Sequence, residues 1–434
     1  MRQLLLLLTL LAAPAFPLLA APPDYREAAL EAARWVQSAA ISTKDGAVWP
    51  ADPHDKSTVN NTLYAGTPGV VLFLLEAHRQ TRDAAHLKMA RAGADALLAA
   101  LPGEKETGLY EGMAGMAFAL EETYKLTKEA KYRQGVLRSI ELLRQRAVKK
   151  GAGIEWNGVT DIIAGASGTG LFLIYAASEL NDPSLIDLAA QAGRRLIELG
   201  KPEAGGKKWA MDDKFPRLMP NFSHGTAGVA YFLATLYRET KNKEFLEAAL
   251  AGGRYLQSVA NTEGDGCKIF HNEPDGKNLY YLSWCHGPPG TARLFYRLWL
   301  VTGDQAWMAW MKKSAKAVMD SGIPEKETPG FWNNVGQCCG STGVAAFFLS
   351  LYRVTGNRPY LDYSRRITAQ LLAKATRDKS GMRWIQAEHR IKPDLLIAQT
   401  GYMQGAAGVG MWLLEMDAFE RGKKTGITLP DSPF

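Results

Sequence analysis

Seven glycine pairs spread through the 434 residues leave this chain few architectures. The pattern is Gly-x-x-Gly. It recurs at Gly66–Gly69, Gly112–Gly115, Gly165–Gly168, Gly225–Gly228, Gly287–Gly290, Gly340–Gly343 and Gly405–Gly408. Each pair opens an apolar run, such as GVVLFLLEA from Gly69 or GVAYFLATLYRET from Gly228. A helix apolar on nearly every side is buried on nearly every side. Between these runs lie amphipathic segments, for example those starting at Asp24, Lys131 and Pro359. Their apolar residues recur three and four apart, as in surface helices that turn one stripe inward. The unit is therefore outer helix, loop, glycine pair, inner helix. No unit buries its inner helix alone, so neighbours must stack, and closing the ring removes the exposed ends. The expected fold is all-α, an (α/α)7 toroid or barrel of seven outer and seven inner helices. Only short stretches around Trp156 and Trp384 are expected to pair as ribbons.

The glycines have a steric reason. Inner helices that converge on one axis crowd most in their first turns, where glycines at i and i+3 share a face and let backbones approach. The same geometry predicts first-turn N–H groups that point into the central mouth. Length alone favours two or three domains. The repeats override that and predict one toroidal domain over residues 22–434.

At the N-terminus, Met1-Arg2-Gln3 precedes an apolar run from Leu4 to Leu11 and then small residues and prolines up to Pro23. A basic start, a short apolar core and a small-residue exit read as a secretory signal peptide over residues 1–21. The run is too short to span a bilayer. Cleavage fits Ala13-Pro14-Ala15 or a point near Ala20 or Ala21. A secreted or periplasmic location is expected, without stable membrane insertion. The net charge of +7 is spread along the chain among Glu and Asp, with no basic arm or nucleic-acid motif. It reads as a solvated surface, and nucleic acid is not expected as a partner. Hydrophobic residues at 47% and charged residues at 22% exclude a disordered or fibrous chain.

The residues just before each glycine pair should line the central mouth. Four repeats carry chemistry there: Asp161, Ser223-His224, Trp284-Cys285-His286 and Cys338-Cys339. Repeats five and six are adjacent around a ring, so Cys285, Cys338 and Cys339 converge. Three thiolates at about 2.3 Å suit zinc and leave a fourth position for water or substrate, the arrangement of catalytic zinc. An even count of cysteines in an exported chain also suggests disulfides. Adjacent cysteines rarely bridge without strain, and Cys267 sits in a polar loop outside the phase, so it is not counted as a ligand. His224 faces the expected metal, with a ring suited to proton transfer near neutrality. His286 reads as a supporting or acid/base group, and Asp161 as either a functional acid or a helix cap.

Ser283-Trp-Cys-His-Gly287, Gln337-Cys-Cys-Gly340, Asn221-Phe-Ser-His-Gly225 and Asp161-Ile-Ile-Ala-Gly165 resemble the motifs of the lanthionine cyclase (LanC-like) family. The resemblance spans essentially the whole chain after the N-terminal segment. It implies an α/α toroid with one zinc that adds a cysteine thiol across dehydroalanine or dehydrobutyrine, forming a thioether ring in a peptide. It also implies eukaryotic relatives that add glutathione to such residues. On this resemblance Cys285 and Cys338 match the two cysteine ligands. Cys339 falls where most members place a histidine ligand, as in a Cys-Cys-Gly subgroup. His224 matches the histidine implicated in proton transfer, and Asp161 its acidic partner.

Two features depart from that family's usual setting. Its peptide cyclases work in the cytoplasm, whereas this chain starts with an export signal, and no dehydratase domain accompanies the toroid. The expected activity is zinc-dependent thiol addition outside the cytoplasm, with a dehydrated peptide or small thiol as partner. Two alternatives stay open. One is a non-catalytic, zinc-containing peptide-binding module. The other is a glycosidase-like hydrolase, which needs two facing carboxylates drawn from Asp161, Glu111 and Asp212.

Overall fold

A computed structural model describes residues 24–215 and 217–434. The signal-peptide reading falls on residues 1–21, outside the described residues. In chain order the helices alternate outer and inner: α1 (Tyr25–Ser38), α2 (Thr67–Thr81), α3 (Ala84–Ala100), α4 (Met113–Thr127), α5 (Ala130–Arg146), α6 (Ala166–Leu180), α7 (Ser184–Leu199), α8 (Thr226–Thr240), α9 (Lys243–Val259), α10 (Pro288–Thr302), α11 (Gln305–Asp320), α12 (Ser341–Thr355), α13 (Arg358–Ala373) and α14 (Ala406–Glu420). Every even-numbered helix is inner and 15 residues long. Each starts directly after the first glycine of its pair, which is the N-cap. No helix among the described residues is long and apolar enough to cross a membrane.

The ring closes. Neighbouring inner helices pack all the way round, from α2 on α4 to α14 back on α2. Each inner helix also packs on the outer helix that follows it, and α1 takes the place beside α14. The first segment of the chain thus completes the last wedge, and the fold is an α/α toroid.

The second glycine of each pair is a contact point between wedges. A Cβ on Gly290 would lie 1.8 Å from the carbonyl oxygen of Trp284 and 2.8 Å from Cβ of Phe222 in the preceding wedge. A Cβ on Gly343 would lie 2.1 Å from the Gln337 oxygen and 3.3 Å from Cβ of Trp284. The close approach expected from the sequence is therefore real. The expected N–H groups aimed at the mouth are not found. The first-turn amides of Thr67, Ala114, Ala227, Ser341 and Ala406 donate to the carbonyls of Asn60, Thr107, Pro220, Asn334 and Gln399, at 2.8 to 3.3 Å. Each acceptor lies seven residues upstream, so the loop folds back and satisfies its own helix.

Ribbons form at the two expected places and beyond. Val148–Lys150 pairs with Gly153–Glu155 ahead of Trp156, and Thr376–Asp378 with Gly381–Arg383 ahead of Trp384. Equivalent ribbons precede Trp49 and Trp209. In all four, the indole Nε1 donates to a carbonyl near the end of the outer helix: Val36, Leu143, Leu196 and Leu371, at 2.6 to 2.8 Å. The tryptophan occupies one of the four carbonyls that a helix end leaves free, and it ties the outer layer to the loop that leads to the mouth.

Seven helices packed about 9 Å apart on a circle leave a lumen of roughly 5 Å radius once their own thickness is removed. The chain fills it with its own end. After α14 the segment 424–434 turns back along the axis and buries Ile427 and Asp431, and Phe434 stacks on Tyr296 with ring centroids 4.8 Å apart.

Gly290→Ala is expected to cost about 3 kcal/mol, the upper end for overpacking, because the atom it meets is main chain and cannot rotate away. Gly103→Ala, where an added Cβ meets nothing within 4 Å, is the control and leaves stability unchanged. Urea unfolding of the two variants checks this.

A cysteine cluster beside an aspartate–histidine pair

The mouth is organised by the main chain. The residue two before each first glycine bonds to its counterpart in the next wedge. Tyr64 N donates to Tyr110 O, Tyr110 N to Ile163 O, Ile162 N to Ser223 O and Ser223 N to Cys285 O. Cys285 N then donates to Cys338 O, Cys338 N to Met403 O, and Met403 N back to Tyr64 O. The distances run from 2.8 to 3.2 Å. Cys285 and Cys338 are successive members of this circle, so one hydrogen bond of 3.1 Å fixes their spacing.

All three expected sulfurs come together. The ligand atoms of Cys285, Cys338 and Cys339 lie within 4.8 Å of one another. Cys285 Sγ is 3.4 Å from Cys339 Sγ, which is 3.5 Å from Cys338 Sγ. The cysteines are free thiols. A tetrahedral zinc with 2.3 Å bonds spaces its sulfurs about 3.8 Å apart, so the cluster fits that ion with little movement. The charges also fit. At Cys285 burial opposes ionisation, but hydrogen bonds from Cys338 and Cys339 override it and lower the pKa. Burial and its two sulfur partners push Cys338 well up, and the hydrogen bond to Cys285 does the same to Cys339. Ionising all three sulfurs side by side would therefore take a cation to balance them. Gln404 steadies the set: its Nε2 lies 3.8 Å from Cys339 Sγ and donates to the Tyr64 hydroxyl at 2.9 Å, while Asn334 donates to its Oε1 at 3.0 Å. Cys267 stands apart. Burial raises its thiol to about 12.

His224 and Asp161 meet as a tight pair. His224 Nδ1 donates to Asp161 Oδ2 at 2.6 Å, leaving the other ring nitrogen for the mouth. Asp161 is buried, and its Oδ1 accepts the main-chain N–H groups of Ala164 and Gly165, both at 2.9 Å. Asp161 is not the cap of α6, which is Gly165, but it braces the turn before that helix and orients the histidine. Burial alone would lower the His224 pKa. The hydrogen bond and charge of Asp161, with Glu111 and Cys339 further off, outweigh it and raise the pKa above the ordinary value.

His286 is buried. Its Nε2 is 3.4 Å from Ser223 Oγ, its ring stacks on His224 at 5.6 Å and it meets His271 at a tilt at 4.3 Å. Burial, with His271 and His224 nearby, holds it well below the ordinary histidine pKa, so it stays neutral. His271 went unseen in the sequence because it lies in an irregular loop outside the sevenfold phase, as do Tyr281 and Arg390. Arg390 Nε donates to the Tyr281 hydroxyl at 3.2 Å, and Tyr281 meets His286 edge-on at 5.7 Å. Gln404 was legible. It stands directly before Gly405, the position of His224 and Cys339 in their wedges.

The carboxylates named for glycoside cleavage are engaged in different ways. Asp161 is taken by His224 and the turn. Asp212 accepts the amides of Lys214 and Phe215 at 2.6 and 2.7 Å and holds a surface loop. Glu111 is at the mouth, and burial followed by the Asp161 charge raises its pKa, against the pull of His224.

Comparison with known proteins agrees with this geometry. Among solved structures, the ring is similar to a nisin cyclase, with a TM-score of 0.63 at 18% identity over 82% of this chain and 88% of that one. It is also similar to a GH76 alpha-mannanase of Bacteroides thetaiotaomicron, with a TM-score of 0.54 at 10% identity over 92% and 97% of the two chains. These likenesses concern the fold. In sequence the chain is 21% identical to the glutathione S-transferase LANCL1 of Danio rerio over 319 residues, 72% of this chain and 73% of the relative. The family model for lanthionine synthetase C-like proteins matches residues 57–426, a span that holds all seven glycine pairs and every cysteine and histidine of the mouth. The chain belongs to the lanthionine synthetase C-like protein family.

Proposed function

We propose that this protein is a zinc-dependent enzyme that adds a thiol to dehydroalanine or dehydrobutyrine residues, working outside the cytoplasm. The observation that carries the reading is the meeting of three thiols with an aspartate-held histidine at one mouth. Family membership supports the thioether chemistry. The N-terminal sequence alone supports the location.

Cys285, Cys338 and Cys339 would hold the zinc. Bound there, zinc lowers the pKa of an incoming thiol and leaves it a thiolate at neutral pH. The thiolate sulfur bonds to the β-carbon of the dehydrated residue, and the double-bond electrons move onto the α-carbon and its carbonyl. His224 then supplies the proton that the α-carbon takes up. Its Nδ1 is committed to Asp161, so the transfer runs from Nε2, and the raised pKa keeps that proton in place near neutrality. His286 and His271, both held neutral, pack beside it without adding a competing charge. The peptide-binding alternative shares the metal and differs only in lacking turnover. The hydrolase alternative rests on the likeness of fold.

The direct test is to mix the protein with a dehydroalanine peptide and a small thiol and follow peptide mass. The expected product is heavier by one thiol. Binding without any mass change would sink the proposal in favour of the binding module. Cys285→Ala is expected to lose both metal and turnover.

His224→Asn is expected to slow addition about 10²–10⁴-fold, the usual weight of a general acid. Because the His224 pKa is raised, activity should persist above the ordinary histidine value and fall as pH rises through the shifted one. Asp161→Asn should move that falling limb to lower pH, as a pH–rate profile would show.

Three sulfur ligands donate more charge to the metal than two sulfurs and an imidazole. Cys339→His is therefore expected to slow thiol addition, and an equal or faster rate measured with the same peptide would dismiss this.

A further inference from the structure

Directly beneath the cysteines the lumen contains an ion pair. Arg293, on α10, donates through Nη1 to Asp431 Oδ2 at 2.9 Å and to the Asp431 carbonyl at 3.0 Å. Asp431 belongs to the returning C-terminal segment, and its side chain is fully buried, at 0% exposure. The guanidinium of Arg293 in turn lies against two rings, 5.5 Å from the centroid of Phe222 and 5.8 Å from that of Trp284. Trp284 is clamped edge-on by Tyr110 at 5.4 Å and by Phe222 at 5.5 Å. It immediately precedes Cys285 in the chain. A cavity of about 280 Å³ runs beside this contact, lined by Trp284, Gln337, Met403 and the tail residues Ile427 and Leu429. The wall beside Trp284 is thus not solid. It rests on the tail.

We propose that the C-terminal tail is a positioning element of the cysteine site, with Asp431 holding Arg293 against Trp284 and Trp284 setting the place of Cys285. This rests on the reading of the three cysteines as a metal centre. A buried carboxylate and guanidinium hold each other in one geometry, since separating them would strand a charge in an apolar lumen. A guanidinium fixed in that way presents a flat face to an indole and limits its tilt. Among the described residues no hydrogen bond joins Asp431 or Arg293 to the three sulfurs, so both act through Trp284.

The test uses the full chain loaded with Co2+, whose visible absorption reports ligand geometry. In the unmodified protein one equivalent of Co2+ should bind with sulfur-to-cobalt bands. Asp431→Asn should keep its helical circular dichroism yet lose about 10–100-fold in Co2+ affinity, the usual effect of removing a group that orients a metal ligand, with shifted visible bands. Arg293→Lys keeps the ion pair but removes the flat face, and should behave like Asp431→Asn. Asp431→Glu should restore both affinity and spectrum. Unchanged affinity and bands in Asp431→Asn and Arg293→Lys would overturn the tail's role, as would affinity losses that only parallel a loss of helix. No Co2+ in the unmodified protein would instead overturn the metal reading itself, and the tail's role with it.

Discussion

A circle of main-chain hydrogen bonds at the mouth is the constraint on which everything else in this molecule depends. Each wedge contributes one residue, two before its first glycine, whose N–H and C=O both engage neighbours. At the third wedge the work is split between Ile162 and Ile163. The three residues before the glycine form a turn, closed by bonds such as Gly287 N to Ser283 O and Gly340 N to Gly336 O. Residues three before the glycine, such as Trp284, Gln337 and Tyr402, face the lumen and line its cavity. Residues one before it, such as His224, His286, Cys339 and Gln404, gather at the mouth. The glycine pair makes this possible, since a side chain at the second glycine would drive its wedge off the carbonyl and the neighbour it rests on. The circle works as seven slots in fixed register, and chemistry depends only on which residue each slot holds.

The filled slots divide charge between two halves of the mouth. Wedges five and six bring sulfur, which accumulates negative charge when ionised. Wedges three and four bring Asp161 and His224, where the carboxylate offsets burial and favours the charged ring. Placing a proton donor opposite a nucleophile would normally quench the nucleophile, because the imidazolium protonates the thiolate. Two features prevent this. Under the proposed function a cation held by the three sulfurs would compete for their electron pairs, and Asp161 would hold His224 so that its proton is given up only to a stronger base. An enolate α-carbon is such a base. His286, held neutral, stacked on His224 and tilted against His271, places a polarizable ring there and adds no third charge.

The parts legible from sequence are those tied to the repeat. Seven glycine pairs in phase with seven apolar runs gave the toroid, and position relative to the glycines gave the three sulfurs, His224 and Asp161. Where the reading failed, it failed for a physical reason. The N–H groups of the first turns were assigned to the mouth on the assumption that a glycine N-cap leaves them free. The loop's ability to double back by seven residues is a tertiary fact with no local signature. The two ribbons before Trp49 and Trp209 were missed, although a tryptophan recurs at the same offset after four outer helices. Strands of three residues are too short to show alternation, but the recurring indole was there to be counted. His271, Tyr281 and Arg390 sit in loops of unequal length, and phase says nothing about such loops.

The tail marks the limit of repeat logic. A ring of seven inner helices has a lumen that its own side chains do not fill, and a chain built only from repeats would leave a wet channel under the mouth. Here a non-repeating segment closes it, anchored by one buried ion pair and an aromatic stack. The likeness to a mannanase shows that a similar ring occurs in other proteins, so the helices themselves specify no reaction. What distinguishes this chain is local. Three sulfurs occupy adjacent slots, an aspartate–histidine pair occupies the slots beside them, and a buried segment lies beneath. The first two define what reactions are possible. The third packs against Trp284 through Arg293 and so reaches the residue next to Cys285.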